Sequence, residues 1–371
     1  MLGRLESPVK NVKDYWDWYE LACKEQWTDG LPVCPPTESK VTEIIEYLGR
    51  DPQEVIGIVD PKRGIATIEQ VAINCAMAGC TPAMVPVVIA ALRAMLEPEF
   101  NLGGVQATTN PCAPLTIVNG PLAGELGFNS GDSAFGGGSR ANAVVGRAVR
   151  LIMWNIGGGI TPQVDISTFG QPAKYAFCVA ENEEESPWEP LYVERGLRKE
   201  QSAVTVFACQ SPDPMYVPGD AERILHVVAV SIARPGTNIF HSAGQFLLVF
   251  STRVARALAE AGYSKSDVKQ WIWENARYNV GWLRRNKVLA DGEILTTYWD
   301  VMHGKDRPNI HELGDDAMLP MVLSVDDIHC IVVGRSTSQW WVGFCGGWGS
   351  YGGLAVTKPI EIPPKKQRSA R

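Results

Sequence analysis

The residues of this chain that could make or break bonds are its nine cysteines, five histidines and the run Glu181-Asn182-Glu183-Glu184-Glu185. Cys80 stands out among the thiols. It lies between a helix expected to stop at Gly79 and another expected to restart at Thr81-Pro82. The N–H groups and dipole of the second helix would stabilise a thiolate there, fitting a nucleophile or a thiolate ligand. The alternative is a small residue packed into a tight corner. Cys75 reads as core, and Cys112 and Cys345 are lesser candidates in Gly-rich surroundings. Cys23, Cys178, Cys209 and Cys330 fall on helix or strand patterns. No pair has C-x-x-C spacing, and so many thiols in a long intracellular chain point away from a disulfide framework.

The glutamate run follows an expected strand, Tyr175 to Ala180, so Glu181, Asn182 and Glu183 project where catalytic and metal-binding groups often sit. Either carboxylate could act as a general base or bind a divalent metal. The plainer reading is a solvated acidic loop. Gly136-Gly137-Gly138-Ser139-Arg140 leads into another helix. Its free N–H groups beside Arg140 suit a carboxylate, a phosphate or a developing oxyanion. Asn119, Asn129, Asn142 and Arg147 could line the same cavity; turns with capping side chains are the alternative. The glycine spacing matches neither a P-loop nor a dinucleotide fingerprint, so no nucleotide cofactor is expected. His241, in a loop before Ser242-Ala243-Gly244, is the best histidine for acid/base work. His226 lies on an apolar helix, His303 and His311 in a polar loop, and His329 at a strand start. Their spacing makes no metal motif.

Which elements would hold these groups? Helices are expected over Tyr15 to Gln26 and Thr37 to Leu48. A helical hairpin follows, opened by the capping box Thr67 to Gln70 and turning at Gly79-Cys80. Ser139 can cap a helix from Arg140 to Ile156. The segment from Asn101 to Gly159 is rich in Gly, Asn, Thr and Ser, and reads as a ligand-binding wall rather than core. Short apolar runs then alternate with helical stretches: Ala203 to Ala208, Phe246 to Phe250 and Ile328 to Gly334, with helices over Ala221 to Ala233, Arg253 to Ala261 and Ser266 to Arg277. That rhythm indicates an α/β or α+β fold, a helical N-terminal part followed by a mixed-sheet region with flanking helices. Expected divisions are an arm over 1–60, the helical hairpin with the Gly/Asn-rich site region over 61–200, strand–helix sheet over 201–360, and a disordered basic tail over 361–371. No internal repeat is evident.

A net charge of −7 argues against nucleic acid as the main partner. The start is polar, and the most apolar stretch, Met84 to Leu96, is too short to span a bilayer. A cytoplasmic location without membrane partner is therefore expected. Twelve tryptophans, several near the termini, suit a lid or a subunit contact in a homo-oligomer.

Ordered motifs run through most of the chain. They include Thr28-Asp29-Gly30-Leu31-Pro32-Val33, Ala78-Gly79-Cys80, Gly104-Val105-Gln106-Ala107-Thr108-Thr109 and Val118-Asn119-Gly120-Pro121. Glu181-Asn182-Glu183-Glu184 with Ser186-Pro187-Trp188 and Gly262-Tyr263-Ser264-Lys265-Ser266-Asp267-Val268 complete the set. Together they resemble a bacterial family, the large domain that accompanies, or is fused to, small thiol/selenoproteins named for a U-G-S-C motif. The resemblance implies that Cys80 and the Glu181-Asn182-Glu183 stretch share a site, and that a redox protein could be a partner. This chain departs from the family in lacking a Cys-Gly-Ser-Cys equivalent. It also carries Ser251-Thr252-Arg253 where the family pattern has Pro-Glu-His, which removes a possible acid/base pair.

The leading expectation is an enzyme acting on a small acidic or thiol-linked metabolite. Cys80 would be the thiolate, Glu181 or Glu183 the base, and Gly136 to Arg140 the anion holder. A metal-dependent lyase or hydrolase and a non-catalytic partner subunit of a redox system are the alternatives.

Overall fold

Local capping chemistry sets most helix boundaries. The computed structural model describes residues 3–289, 312–349 and 351–364, so His303, His311 and the tail from Lys365 onward lie outside the described residues. Helices α1 (Tyr15–Lys24) and α2 (Glu38–Leu48) precede a hairpin of β1 (Val55–Val59) and β2 (Gly64–Thr67). Helix α3 (Ile68–Ala78) starts where the Thr67 hydroxyl accepts from Gln70 N–H, and it ends at Gly79 with φ 87°. The next helix does not restart at Thr81 as the sequence suggests. Pro82–Met84 makes a 3₁₀ turn, Thr81 offers no side-chain cap, and α4 runs over Val85–Met95. After α5 (Leu102–Ala107) come β3 (Ala113–Asn119), α6 (Pro121–Glu125) and α7 (Arg140–Asn155), the last capped by Ser139.

The remainder alternates: β4 (Cys178–Ala180), α8 (Leu191–Glu194), β5 (Ala203–Cys209), β6 (Asp213–Tyr216), α9 (Ala221–Ile232), α10 (Asn238–Ser242) and β7 (Phe246–Ser251). Next are α11 (Thr252–Glu260), α12 (Lys265–Asn275), β8 (Arg277–Asn279), α13 (Val280–Arg285), β9 (Met318–Pro320), β10 (Ile328–Val333), β11 (Trp341–Gly346) and β12 (Val356–Pro359). A full capping box, Ser264 with Asp267, opens α12. The fold is α/β, with helices flanking mixed sheets.

Two four-stranded sheets carry the architecture, in the orders β12-β5-β3-β4 and β10-β7-β11-β6. Alternate residues of each face a shared core. Leu115, Ile117, Val179 and Phe207 of the first meet Leu247, Val249, Ile331 and Cys345 of the second. The intervening residues point outward. Val118, Cys178, Ala180, Val204 and Val206 pack under α3, α4 and α7. Leu248, Phe250, Cys330, Val332 and Val342 pack under α9, α11 and α12. The result is four layers, α/β/β/α, and burial on both faces explains why the central strands read as continuous apolar runs.

The two sheets repeat one another. In each, a central strand has a parallel neighbour on one side and an antiparallel one on the other, which in turn pairs with an antiparallel edge strand. The registers superimpose. Thr116 pairs with Cys178 and Val206, and Val206 pairs with Val356; Leu248 pairs with Cys330 and Phe344, and Phe344 pairs with Asp213. The edge strands are exchanged: β6, which follows β5, completes the second sheet, and β12, which follows β11, completes the first. β5 and β12, both after residue 200, share a sheet with β3 and β4, which lie before it.

One sequence expectation is corrected here. The Gly/Asn-rich segment contains the central strand β3, whose Leu115, Ile117 and Val118 are buried, so this part of it is core. Among the described residues no single helix is long and apolar enough to cross a membrane; α3 and the segment Pro82–Met95 meet at 119°.

Candidate functional site

Parallel strands β3 and β4 end side by side, with Val118 opposite Ala180. Their next residues, Asn119 and Glu181, are therefore held together at the carboxyl edge of the sheet, where ligands of open α/β sheets bind. Asn119 Nδ2 donates to Glu181 Oε2 at 2.9 Å and to Glu183 Oε1 at 3.0 Å. Gly120 N–H donates to Glu183 Oε1 at 2.6 Å, and Leu191 N–H to Glu181 Oε2 at 2.9 Å. Gly120 is required where it stands. Its φ is 85°, and a Cβ would lie 2.2 Å from the Gln201 carbonyl oxygen.

Glu181 is buried, and desolvation raises its pKa above the ordinary carboxyl value. The Lys265 ammonium, 3.9 Å from Oε1, and the hydrogen bonds from Leu191 and Asn119 oppose this, while the Glu183 charge adds to it. Lys265 and Lys269 also clasp Glu194 at 3.3 and 2.6 Å. Burial alone would raise the Glu194 pKa, but the two lysines outweigh it and hold it low. Two buried oxygens in the cluster, Glu181 Oε1 and Asn119 Oδ1, take no hydrogen bond. Lys265 and Glu194 also line an open cleft with Trp188, Glu189, Tyr263 and Ser264, holding about 870 Å³ of empty space. Lys265 belongs to both the cleft and the ion-pair cluster, whereas Glu181 and Asn119 are buried and do not line the cleft.

The other sequence candidates divide among separate places. Asn129, Ser139 and Asn142 form an interlocked network. Asn142 Oδ1 accepts from Asn129 N–H and Ser139 Oγ, and its Nδ2 donates to the carbonyls of Asn129 and Ala134. These three side chains hold the 127–139 loop on α7. A single long hydrogen bond, Ala180 N–H to Asn129 O at 3.5 Å, joins this network to β4. Gly137 and Gly138 face open space, with Gly138 at φ 108°. Arg140 donates to Gly79 O at 2.8 Å, which sets it beside Cys80 rather than Glu181. Arg147 is tied to Asp29. Asn182 braces the two sheets: its N–H donates to Val332 O and its Nδ2 to Gly334 O.

Cys80 is half-buried, and its thiol donates to Val144 O at 3.5 Å. No hydrogen bond or ion pair links it to the carboxylates. His241 is exposed at the end of α10, which leads into the start of β7, whereas Asn182 meets the far end of β10. His241 and Glu181 thus occupy opposite ends of the sheets. His226 bonds Glu222 O and stacks edge-on against Trp271. His329 is buried between the sheets against Phe207, with Nε2 3.0 Å from Gln245 Oε1; burial, aided by the charges of Arg195, Lys269 and Lys265, drives its pKa down to about 3. Burial pushes the Cys112 thiol up to about 12.

Sequence reasoning did not pick out Lys265, Lys269 or Glu194. Their signal was the spacing of Lys265 and Lys269 by one helical turn on the face that carries Val268 and Ile272. Among the described residues no group of three or more His, Cys, Asp or Glu side chains is placed to hold a metal ion. Comparison of the chain with family models, curated proteins and solved structures finds no match.

Proposed function

We propose that the protein is an enzyme that acts on a small metabolite at the Asn119–Glu181–Glu183 cluster, with Glu181 as the proton-transferring group. The observation that carries the reading is the pair of buried acceptors, Glu181 Oε1 and Asn119 Oδ1, that take no hydrogen bond beside a lysine lining a cleft. Buried polar atoms are almost always paired, and exceptions concentrate where a ligand completes the set. Both orphans are acceptors, so the ligand must bring a donor, a hydroxyl or an amino group. The Lys265 ammonium then suits an anionic end of the same molecule. A small carboxylate with a neighbouring hydroxyl or amino group satisfies both demands, and it keeps the acidic substrate that the sequence suggests.

Burial that raises the Glu181 pKa above the ordinary carboxyl value supports a role in proton transfer. The motifs that resemble the U-G-S-C-associated family include Asn119, Glu181 and Glu183 themselves, which adds support. Cys80 drops out of this mechanism, because its contacts run to Val144 and not to the carboxylates. We read the setting as cytoplasmic and the partner as a small molecule.

The test is a panel of hydroxy and amino acids, screened by thermal shift and then by turnover. At least one member should raise the wild-type melting temperature. Glu181→Gln should keep that shift yet lower turnover by about 10²- to 10⁴-fold, the usual range for a lost general acid or base. Asn119→Ala should lose the shift. Unchanged turnover in Glu181→Gln would reduce Glu181 to a structural group.

A further inference from the structure

The C-terminus of α3 ends in two reverse hydrogen bonds, Gly79 N–H to Ala76 O at 3.0 Å and Cys80 N–H to Cys75 O at 2.9 Å. With Gly79 at φ 87°, this is a Schellman cap. Such a cap brings the side chains of the residue four before the glycine and of the residue after it into contact. Here both are cysteines, Cys75 and Cys80. We propose that Cys75 and Cys80 are a built thiol pair that closes to a disulfide when a hydroperoxide reaches Cys80.

The environment assigns the order of events. Cys80 is half-buried and therefore the sulfur an oxidant can reach, whereas Cys75 is fully buried behind it. Arg140 donates to the carbonyl of Gly79, the residue before Cys80, which steadies the cap. In the first step the Cys80 sulfur attacks the hydroperoxide; the O–O bond breaks, an alcohol or water leaves, and Cys80 becomes a sulfenic acid. In the second the Cys75 sulfur attacks the Cys80 sulfur. The S–S bond forms as the S–O bond breaks, and water departs with the Cys75 proton. The sum is two thiols and one hydroperoxide giving one disulfide, one alcohol and one water. Two other thiols could compete for Cys80. Cys34 is exposed, with its sulfur 3.8 Å from where a Gly79 Cβ would stand, and Cys178 is buried on the inner side. Neither shares the cap that holds Cys75 in place.

Cleavage after Arg63 and Arg93 yields one peptide, residues 64–93, that contains Cys75 and Cys80 and no other cysteine. The folded protein is treated with hydrogen peroxide, its remaining thiols are alkylated, and this peptide is weighed. We expect it to have lost two hydrogens and taken up no alkyl group, and to regain both thiols after dithiothreitol. In Cys75→Ala the same treatment should stop at a sulfenic or sulfinic acid on Cys80. Denaturing the protein first should sharply reduce the internal cross-link in this peptide. The proposal is overturned if Cys23 and Cys34 are oxidised while both cysteines of the peptide stay alkylatable, or if Cys80 is recovered linked to Cys34 or Cys178. The wild-type mass alone decides the matter, so poor folding of the variant would not rescue the idea.

Discussion

His329 and Glu181 are buried titratable groups with opposite consequences for stability. His329 is 4% exposed, and its folded pKa of about 3 lies below the unfolded value near 6.5. Its contribution to stability is therefore complete above about pH 6.5 and is lost as pH falls through about 3. At about 1.4 kcal/mol per unit, the loss reaches on the order of 5 kcal/mol. His329→Phe should keep the ring packing against Phe207 and flatten the acid limb of the stability curve between pH 6 and pH 4, as read by urea unfolding. An unchanged acid limb would assign acid lability elsewhere. Glu181 runs the other way. Its pKa is raised on folding, so the stability linked to its proton is full below the ordinary carboxyl range and is lost as pH rises through the raised value. Glu181→Gln should therefore gain stability relative to wild type at pH 8 and show little gain at pH 4. A larger gain at low pH would contradict the direction of that shift. Of the site residues, Glu181 and Glu183 were legible in the sequence because they close an apolar run, and Asn119 because it stands in the Gly/Asn-rich segment. Lys265 and Lys269 were not, because only the packing of α12 on β10 carries them to the carboxylates.

Helices were far more legible than strands, for a physical reason. A helix end is written locally, by Thr67 and Gly79 for α3, by Ser139 for α7 and by the Ser264 box for α12. A central strand is written by partners far away. Pro114 and Thr116 interrupt the apolar run of β3, and Gly343 and Gly346 that of β11. Both nonetheless sit mid-sheet because the neighbouring strands and covering layers supply the burial. The loop between β3 and α7 shows how much one side chain can hold. Asn142, 4% exposed, satisfies a backbone N–H and two carbonyls and joins the Ser139 cap. Asn142→Ala would leave those groups unpaired. We expect a loss of about 2–4 kcal/mol, the cost of stranding two or three buried polar groups. Hydrogen exchange should quicken across residues 127–139 before it does in the sheets. Uniform quickening through both sheets would mean that the network supports the whole fold rather than this loop.

At the scale of the molecule, the exchanged edge strands tie one repeat to the other. The repeat itself was invisible in sequence, since it conserves register and inward-outward alternation while most residues differ: Thr116 stands where Leu248 does, and Val206 where Phe344 does. β12 completes the first sheet although β5 lies some 150 residues earlier in the chain. Its attachment is more than a ladder. Arg195 donates to the Thr357 hydroxyl and to Ala355 O, each at 2.6 Å, Thr205 and Thr357 share a hydrogen bond of 2.8 Å, and Ile360 is buried. Arg195 directly follows Glu194, so the same attachment steadies the helix that supplies a carboxylate to the candidate site. Ending the chain after Gly353 would expose the edge of β5 and remove the partners of Arg195. Several hydrogen bonds and a buried isoleucine together correspond to several kcal/mol, or a melting temperature lower by about 10 °C in a chain of this size. The full-length protein should melt in one cooperative step. The truncated chain should either melt early in one step or fail to accumulate in soluble form, because neither sheet is completed by its own half of the sequence. A truncated chain that melts in two steps, with the β10-β7-β11-β6 sheet keeping its full-length stability, would show that the exchanged strands do not couple the halves.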